Sequence, residues 1–75
     1  MILPSKHISQ NQALIGVGAI LLGELNSPQT VTSLWEKVRA NRAVGTYERY
    51  VLVLDLLYIT GIISLTDGLI DKEVR

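Results

Sequence analysis

The hydrophobic pattern predicts an α+β fold of the winged helix-turn-helix type, with three helices followed by a β-hairpin wing. Three observations carry this. An almost wholly apolar helical stretch lies near the start. Two further segments have helical spacing and cap residues. After Gly61 the period shortens to that of strands, and Asp67-Gly68 marks a hairpin turn.

Met1-Ile-Leu-Pro4 is short and apolar and predicts an added edge strand. Ser9 to Asn11 offers caps for helix 1, expected from about Gln10 to Leu25. Leu14, Val17, Ile20, Leu21 and Leu25 recur at helical steps, and Ile15 and Leu22 widen the stripe almost all round. Such a helix is expected to be buried on more than one side. Gly16, Gly18 and Gly23 disfavour helix, so close approach of another backbone is their expected use. Asn26-Ser27-Pro28 stops the helix.

Helix 2 is expected from Thr32 to Asn41, capped by Thr32 or Ser33. Ser33 and Glu36 have capping-box spacing, and Val31 before them suits a hydrophobic staple. Leu34, Trp35 and Val38 face inward. Ala43-Val44-Gly45 makes the next turn, and Thr46 caps helix 3, expected from Tyr47 to Thr60. Its stripe is Tyr50, Val53, Leu54 and Leu57, flanked by Val51 and Tyr58, and Gly61 is placed to end it. Strands are expected at Ile62 to Leu65 and at Leu69-Ile70, before the charged end Asp71 to Arg75.

The 75 residues predict one domain over residues 1–75. A chain this short buries only ~60% of its unfolded surface, so small domains add disulfides, a metal or a partner. Cysteine is absent and His7 is the single histidine, which excludes disulfides and the usual metal sets. A partner surface is the remaining support. Hydrophobic residues are 48% and charged ones 19%, and mean hydropathy is +0.32. Apolar side chains must therefore lie outside or meet another chain. Ala13 to Leu22 is about half the ~20 residues of a membrane span, and no signal-peptide cleavage site follows it. A buried helix in a cytoplasmic protein is expected.

The residues support no catalytic site and no cofactor. Glu48 and Asp55 share a face of helix 3 but stand two turns apart, ~10.5 Å along the axis, wide for paired carboxylates. The glycines of helix 1 lack both the Lys-Ser/Thr of a phosphate loop and the strand that precedes a dinucleotide turn. His7 beside Lys6 reads as a contact residue.

DNA reading by the chain alone is also disfavoured. Net charge is zero, whereas phosphate neutralisation supplies most non-specific affinity. Helix 3, the recognition helix of this fold, carries Arg49 against Glu48 and Asp55, and is otherwise Tyr, Val, Leu and Ile. That surface suits protein contact. Trp35, Tyr47, Tyr50 and Tyr58 are the candidate anchors, shared between core and interface. Lys37, Arg39, Arg42 and Arg49 form a candidate basic rim. A solvated face with Glu36 pairing locally is the preferred reading; contact with an acidic partner, or with DNA already held by a partner, is the other.

Four stretches carry a family resemblance: Met1-Ile-Leu-Pro-Ser-Lys-His-Ile8, Thr30-Val-Thr-Ser-Leu-Trp-Glu36, Tyr47 to Leu57 around Tyr50-Val-Leu-Val-Leu-Asp55, and Gly61-Ile-Ile-Ser-Leu-Thr-Asp-Gly68. By their order and spacing the chain resembles the small middle components of bacterial ABC-three-component systems, over nearly its whole length. The resemblance implies a winged-helix-like subunit between an ABC ATPase similar to structural-maintenance-of-chromosomes (SMC) proteins and an effector, often a nuclease. It places the system near the Lamassu group of anti-phage and anti-plasmid defences. No catalytic motif is carried over with it.

The expected function is a non-catalytic adaptor that joins an SMC-like ATPase to an effector protein. Two readings stand beside it: a dimeric winged-helix transcription regulator, and the antitoxin-like partner of a toxin. A homodimer is compatible with the surplus of apolar side chains.

Overall fold

The computed structural model describes the backbone of residues 5–73 and the side chains of residues 12–73. The expected strand at Met1 to Pro4 and the expected contacts of Lys6 and His7 lie outside what it describes.

Three helices precede a two-stranded antiparallel hairpin: α1 (Ser5–Glu24), α2 (Val31–Val38), α3 (Tyr47–Ile59), β1 (Ile63–Thr66) and β2 (Leu69–Lys72). This α+β layout is consistent with a winged-helix-like arrangement. Helix α1 begins five residues earlier than the caps at Ser9 to Asn11 predict. Those polar residues lie inside the helix.

Between α1 and α2 the chain is extended. Gln29 bridges Ile70 of β2 through both backbone groups, N–H to carbonyl at 3.1 Å and carbonyl from N–H at 2.7 Å. This single residue acts as a third strand on the outer edge of β2. The pinned backbone passes straight into helix at Thr30, whose Oγ1 accepts the Ser33 N–H at 3.0 Å. The cap is therefore Thr30, not Thr32 or Ser33. Val31 is the first helical residue rather than a staple before the cap, and Glu36 pairs with Arg39 instead of reaching back to close a box. Helix α2 also ends sooner than expected. Asn41 Oδ1 accepts the Ala43 N–H at 2.9 Å, a local turn that competes with another helical residue.

Helix α3 follows the sequence closely. Thr46 Oγ1 accepts the Arg49 N–H at 3.1 Å. At the other end Gly61 has φ +83°, the Gly61 N–H donates to Tyr58 O at 3.0 Å, and the Ile62 N–H donates to Leu57 O at 2.9 Å. This pair of bonds is the Schellman stop, which favours glycine in the left-handed position. In the wing, Asp67 (φ 55°) and Gly68 (φ 78°) form a two-residue primed turn that matches the twist of a hairpin. The register pairs Thr66 with Leu69, Leu65 with Ile70, Ser64 with Asp71 and Ile63 with Lys72. Ile62 lies just before the strand, although its carbonyl still accepts the Glu73 N–H at 2.9 Å.

The core lies where the helices meet the hairpin. Val17, Leu21 and Leu25 of α1 meet Leu34 and Val38 of α2, with Tyr50, Val53, Leu54 and Leu57 of α3. Val44 from the turn and Ile63 and Ile70 from the wing complete it. Helix α1 packs Val17, Leu21 and Leu25 into the core and Leu14, Ile20 and Leu22 partly against it, but it is not covered all round: Ile15 is 72% exposed and Ala19 is exposed. The glycines of α1 give no close backbone approach either. A Cβ at Gly16 or Gly23 would meet nothing within 4 Å, and one at Gly18 would meet side-chain atoms of Leu57 and Val53 at 3.8 Å.

Candidate protein-docking surface

Helix α3 is apolar on more sides than the core can use. Its inward face, Tyr50, Val53, Leu54 and Leu57, is buried. Leu52, Leu56, Tyr58 and Ile59 are exposed, as are Ile62, Leu65 and Leu69 beyond it. With about 3.6 residues per turn, no single core can cover residues at all these positions of one helix. The surplus apolar surface expected from composition is therefore present, and it is concentrated around one helix.

Two grooves flank α3. The first, of about 380 Å³, runs between α1 and α3 over Leu14, Ile15, Leu22, Leu56 and Ile62, with Thr60 as its polar residue. The second, of about 390 Å³, lies between α3 and the wing over Tyr47, Val51, Asp55, Tyr58 and Leu65. Their α3 residues fall on opposite flanks of the helix, Val53, Leu56 and Leu57 against Tyr47, Val51, Leu54, Asp55 and Tyr58. Two bodies could seat on the chain without sharing a position.

The four candidate anchors separate. Trp35, Tyr47 and Tyr50 form an aromatic cluster. Trp35 and Tyr47 meet edge to face with ring centroids 5.2 Å apart, and Trp35 and Tyr50 lie 5.1 Å apart. Tyr50 is wholly buried, and its hydroxyl donates to the Val31 carbonyl at 2.6 Å. It joins α3 to the start of α2. Burial pushes its phenol well above its ordinary pKa, and the neighbouring Tyr47 adds to the rise. Trp35 is half-buried against the core. Tyr47, half exposed, and Tyr58, 56% exposed, turn their rings toward the second groove.

The basic residues Lys37, Arg39, Arg42 and Arg49 are all exposed. Arg39 pairs with Glu36 at 3.4 Å, an exposed pair of little energetic weight. Arg49 lies over the turn, where its Nη1 is 3.7 Å from a Cβ built at Gly45. On the outward side of α3 stand Glu48 and Asp55, both exposed. Among the described residues, no group of His, Cys, Asp and Glu could hold a metal ion. No helix among them is long and apolar enough to cross a membrane.

Sequence reasoning did not single out Gln29, nor Leu52, Leu56 and Ile59. The signal for the latter three was available: they fall off the stripe of α3, so a single core could not take them.

A family model, that of the ABC-three component (ABC-3C) system Middle Component 6, matches residues 3–72. The chain belongs to this family. No curated protein and no solved structure matches it. As a middle component of an ABC-3C system the chain works with other components of that system, which is consistent with an adaptor role. The exposed apolar flanks of α3 are the part of this middle component's surface suited to such contacts.

Proposed function

We propose that this middle component is a non-catalytic adaptor that holds an SMC-like ABC ATPase on one flank of α3 and an effector, nuclease-like in kind, on the other. The setting is a cytoplasmic bacterial defence complex of the Lamassu type, and residues 1–75 act in it as one domain. The observation that carries this reading is the pair of apolar grooves on opposite flanks of one helix. A subunit that only dimerised would need one such face, whereas a linker needs two. Tyr47 and Tyr58 serve as anchors at the wing-side groove, because a tyrosine buries a large ring while leaving its hydroxyl in water. Trp35 and Tyr50 pack against Tyr47. Lys37, Arg39, Arg42 and Arg49 serve as a solvated face, with Glu36 pairing locally with Arg39.

Independent DNA reading is disfavoured by Glu48 and Asp55 on the outward side of α3, which phosphates would repel. The test is co-expression with the other components of the system, followed by a pull-down on this chain. Leu56→Glu, in the first groove, is expected to release one component and keep the other; Tyr58→Glu, in the second, does the reverse. A wild-type chain that stays a lone monomer beside both components refutes the adaptor reading.

A further inference from the structure

The hairpin has two outer edges, and they differ. In an antiparallel pair, successive residues point their backbone groups alternately at the partner strand and away from it. The Glu73 N–H donates to the Ile62 carbonyl, so Ile62, Ser64 and Thr66 face β2, and Ile63 and Leu65 face outward. On β2 the same alternation turns Ile70 outward, where Gln29 satisfies both its N–H and its carbonyl. Leu65 is opposite Ile70 in the register, and β1 pairs with β2 alone among the described strands. Leu65 thus presents an N–H and a carbonyl to whatever lies beside β1. It is also 53% exposed, in a segment with none of the charges or prolines that usually blunt a strand edge.

That edge borders the second groove. Ser64 lines it together with Ile63 and Leu65. Since Ser64 alternates to the opposite face of the strand, the groove reaches the strand's rim as well as its inner face. Among the described residues, Asp55 is the one charged residue lining the groove, and no cation pairs with it.

We infer that the wing-side groove takes an extended segment of a partner subunit, added as a strand to the outer edge of β1 at Leu65, with apolar side chains in the groove and a Lys or Arg opposite Asp55. Main-chain bonds give such a strand its affinity, and alternate side chains give it specificity. The inference rests on the adaptor reading and names the chemistry of one of its two partners.

The test uses the complex of the full chain with the co-expressed component whose binding Tyr58→Glu abolishes. Leu65→Pro removes the outward N–H, which makes no bond among the described residues, at a place where an edge strand tolerates proline; Leu65→Val keeps the N–H. Leu65→Pro is expected to weaken the complex by about tenfold or more, the scale of a lost hydrogen bond. Leu65→Val stays within about threefold, and the melting curve of each free variant matches the wild type. Asp55→Asn flattens the salt dependence of Kd. Hydrogen exchange at the Leu65 amide slows in the wild-type complex.

Unchanged binding by a folded Leu65→Pro, or an unprotected Leu65 amide, overturns the inference and leaves the adaptor reading standing. A partner that no longer binds the wild type at all removes both. Self-association abolished by Leu65→Pro assigns the edge to a second copy of the chain, which also overturns it.

Discussion

Gln29 and Ile70 exchange two backbone hydrogen bonds, at 3.1 and 2.7 Å, and so tie the entry to α2 onto the wing. The Gln29 side chain extends the tie. Its Nε2 donates to the Glu24 carbonyl at the end of α1, and its Oε1 accepts from the Ser33 hydroxyl in α2, each at 3.0 Å. One buried polar residue thus meets the end of α1, the start of α2 and β2. Gln29→Ala leaves the Glu24 carbonyl and the Ser33 hydroxyl without this partner and is expected to cost about 1–3 kcal/mol. Gln29→Pro also removes the N–H that Ile70 uses and should cost more. Urea unfolding of both variants measures the order; equal stability of Gln29→Ala and wild type would falsify the role given to this side chain.

Tyr50 is expected to contribute stability that is lost at alkaline pH. Its folded pKa lies above the unfolded value of about 10, so the unfolded chain loses the proton first. The contribution is complete below about pH 10 and falls above it, by up to about 1.4 kcal/mol per pH unit, until the folded phenol also titrates. Tyr50→Phe is expected to lose about 1 kcal/mol at neutral pH with its bond to Val31, and to show a shallower decline above pH 10. Parallel slopes for the two proteins in that range contradict the assignment.

Which of these features the sequence discloses depends on how far their causes lie along the chain. Thr46, Gly61 and Asp67-Gly68 act on their immediate neighbours, and each behaves as its residue type predicts. The buried stripe of α3 is legible for the same reason, because Tyr50, Val53, Leu54 and Leu57 repeat at helical spacing. Gln29 is different. Its bridge depends on Ile70, which the register of the wing brings alongside, and that bridge moves the cap of α2 back to Thr30. Nothing local to Thr32 or Ser33 discloses it. Helix α1 fails in another way. Apolar residues almost all round signal burial but do not say whether this chain or another supplies the cover, and Ile15 at 72% exposure shows that this chain does not. Among the candidate anchors, Tyr50 and Tyr58 lie eight residues apart on one helix and at different angles around it, and the first falls in the core and the second in a groove.

Two glycines test the account of the helices in opposite directions. Gly16 sits within α1 with nothing within 4 Å of an added Cβ, so Gly16→Ala is expected to stabilise the free chain by about 0.5–1 kcal/mol through helix propensity. Gly61 also has open space, but its φ is +83°. There Gly61→Ala is expected to cost about 1–2 kcal/mol, because a Cβ disfavours the left-handed region. Thermal melts should move apart by several degrees, on the scale of ~4–8 °C per kcal/mol for a domain of this size. A shift of the same sign for both variants means that the backbone at one of the two positions differs from that described.

Ile59 separates what the fold needs from what a partner needs. It closes α3, is 76% exposed and takes no part in the core. The last turn of α3 has no basic residue, and a cation there interacts favourably with the helix dipole. Ile59→Lys is therefore expected to keep or raise the stability of the free chain, by about 0.3–0.5 kcal/mol, and to lessen self-association by removing an exposed apolar side chain. If α3's flanks are covered in the assembled complex, the same change should weaken assembly, since it puts a charge beside surface that assembly dries. Light scattering of the free chain and pull-down of the co-expressed components read the two effects separately. Improved solubility with full assembly would confine the docking surface to the grooves and leave the end of α3 outside it; improved solubility with lost assembly extends the surface to the last turn of the helix.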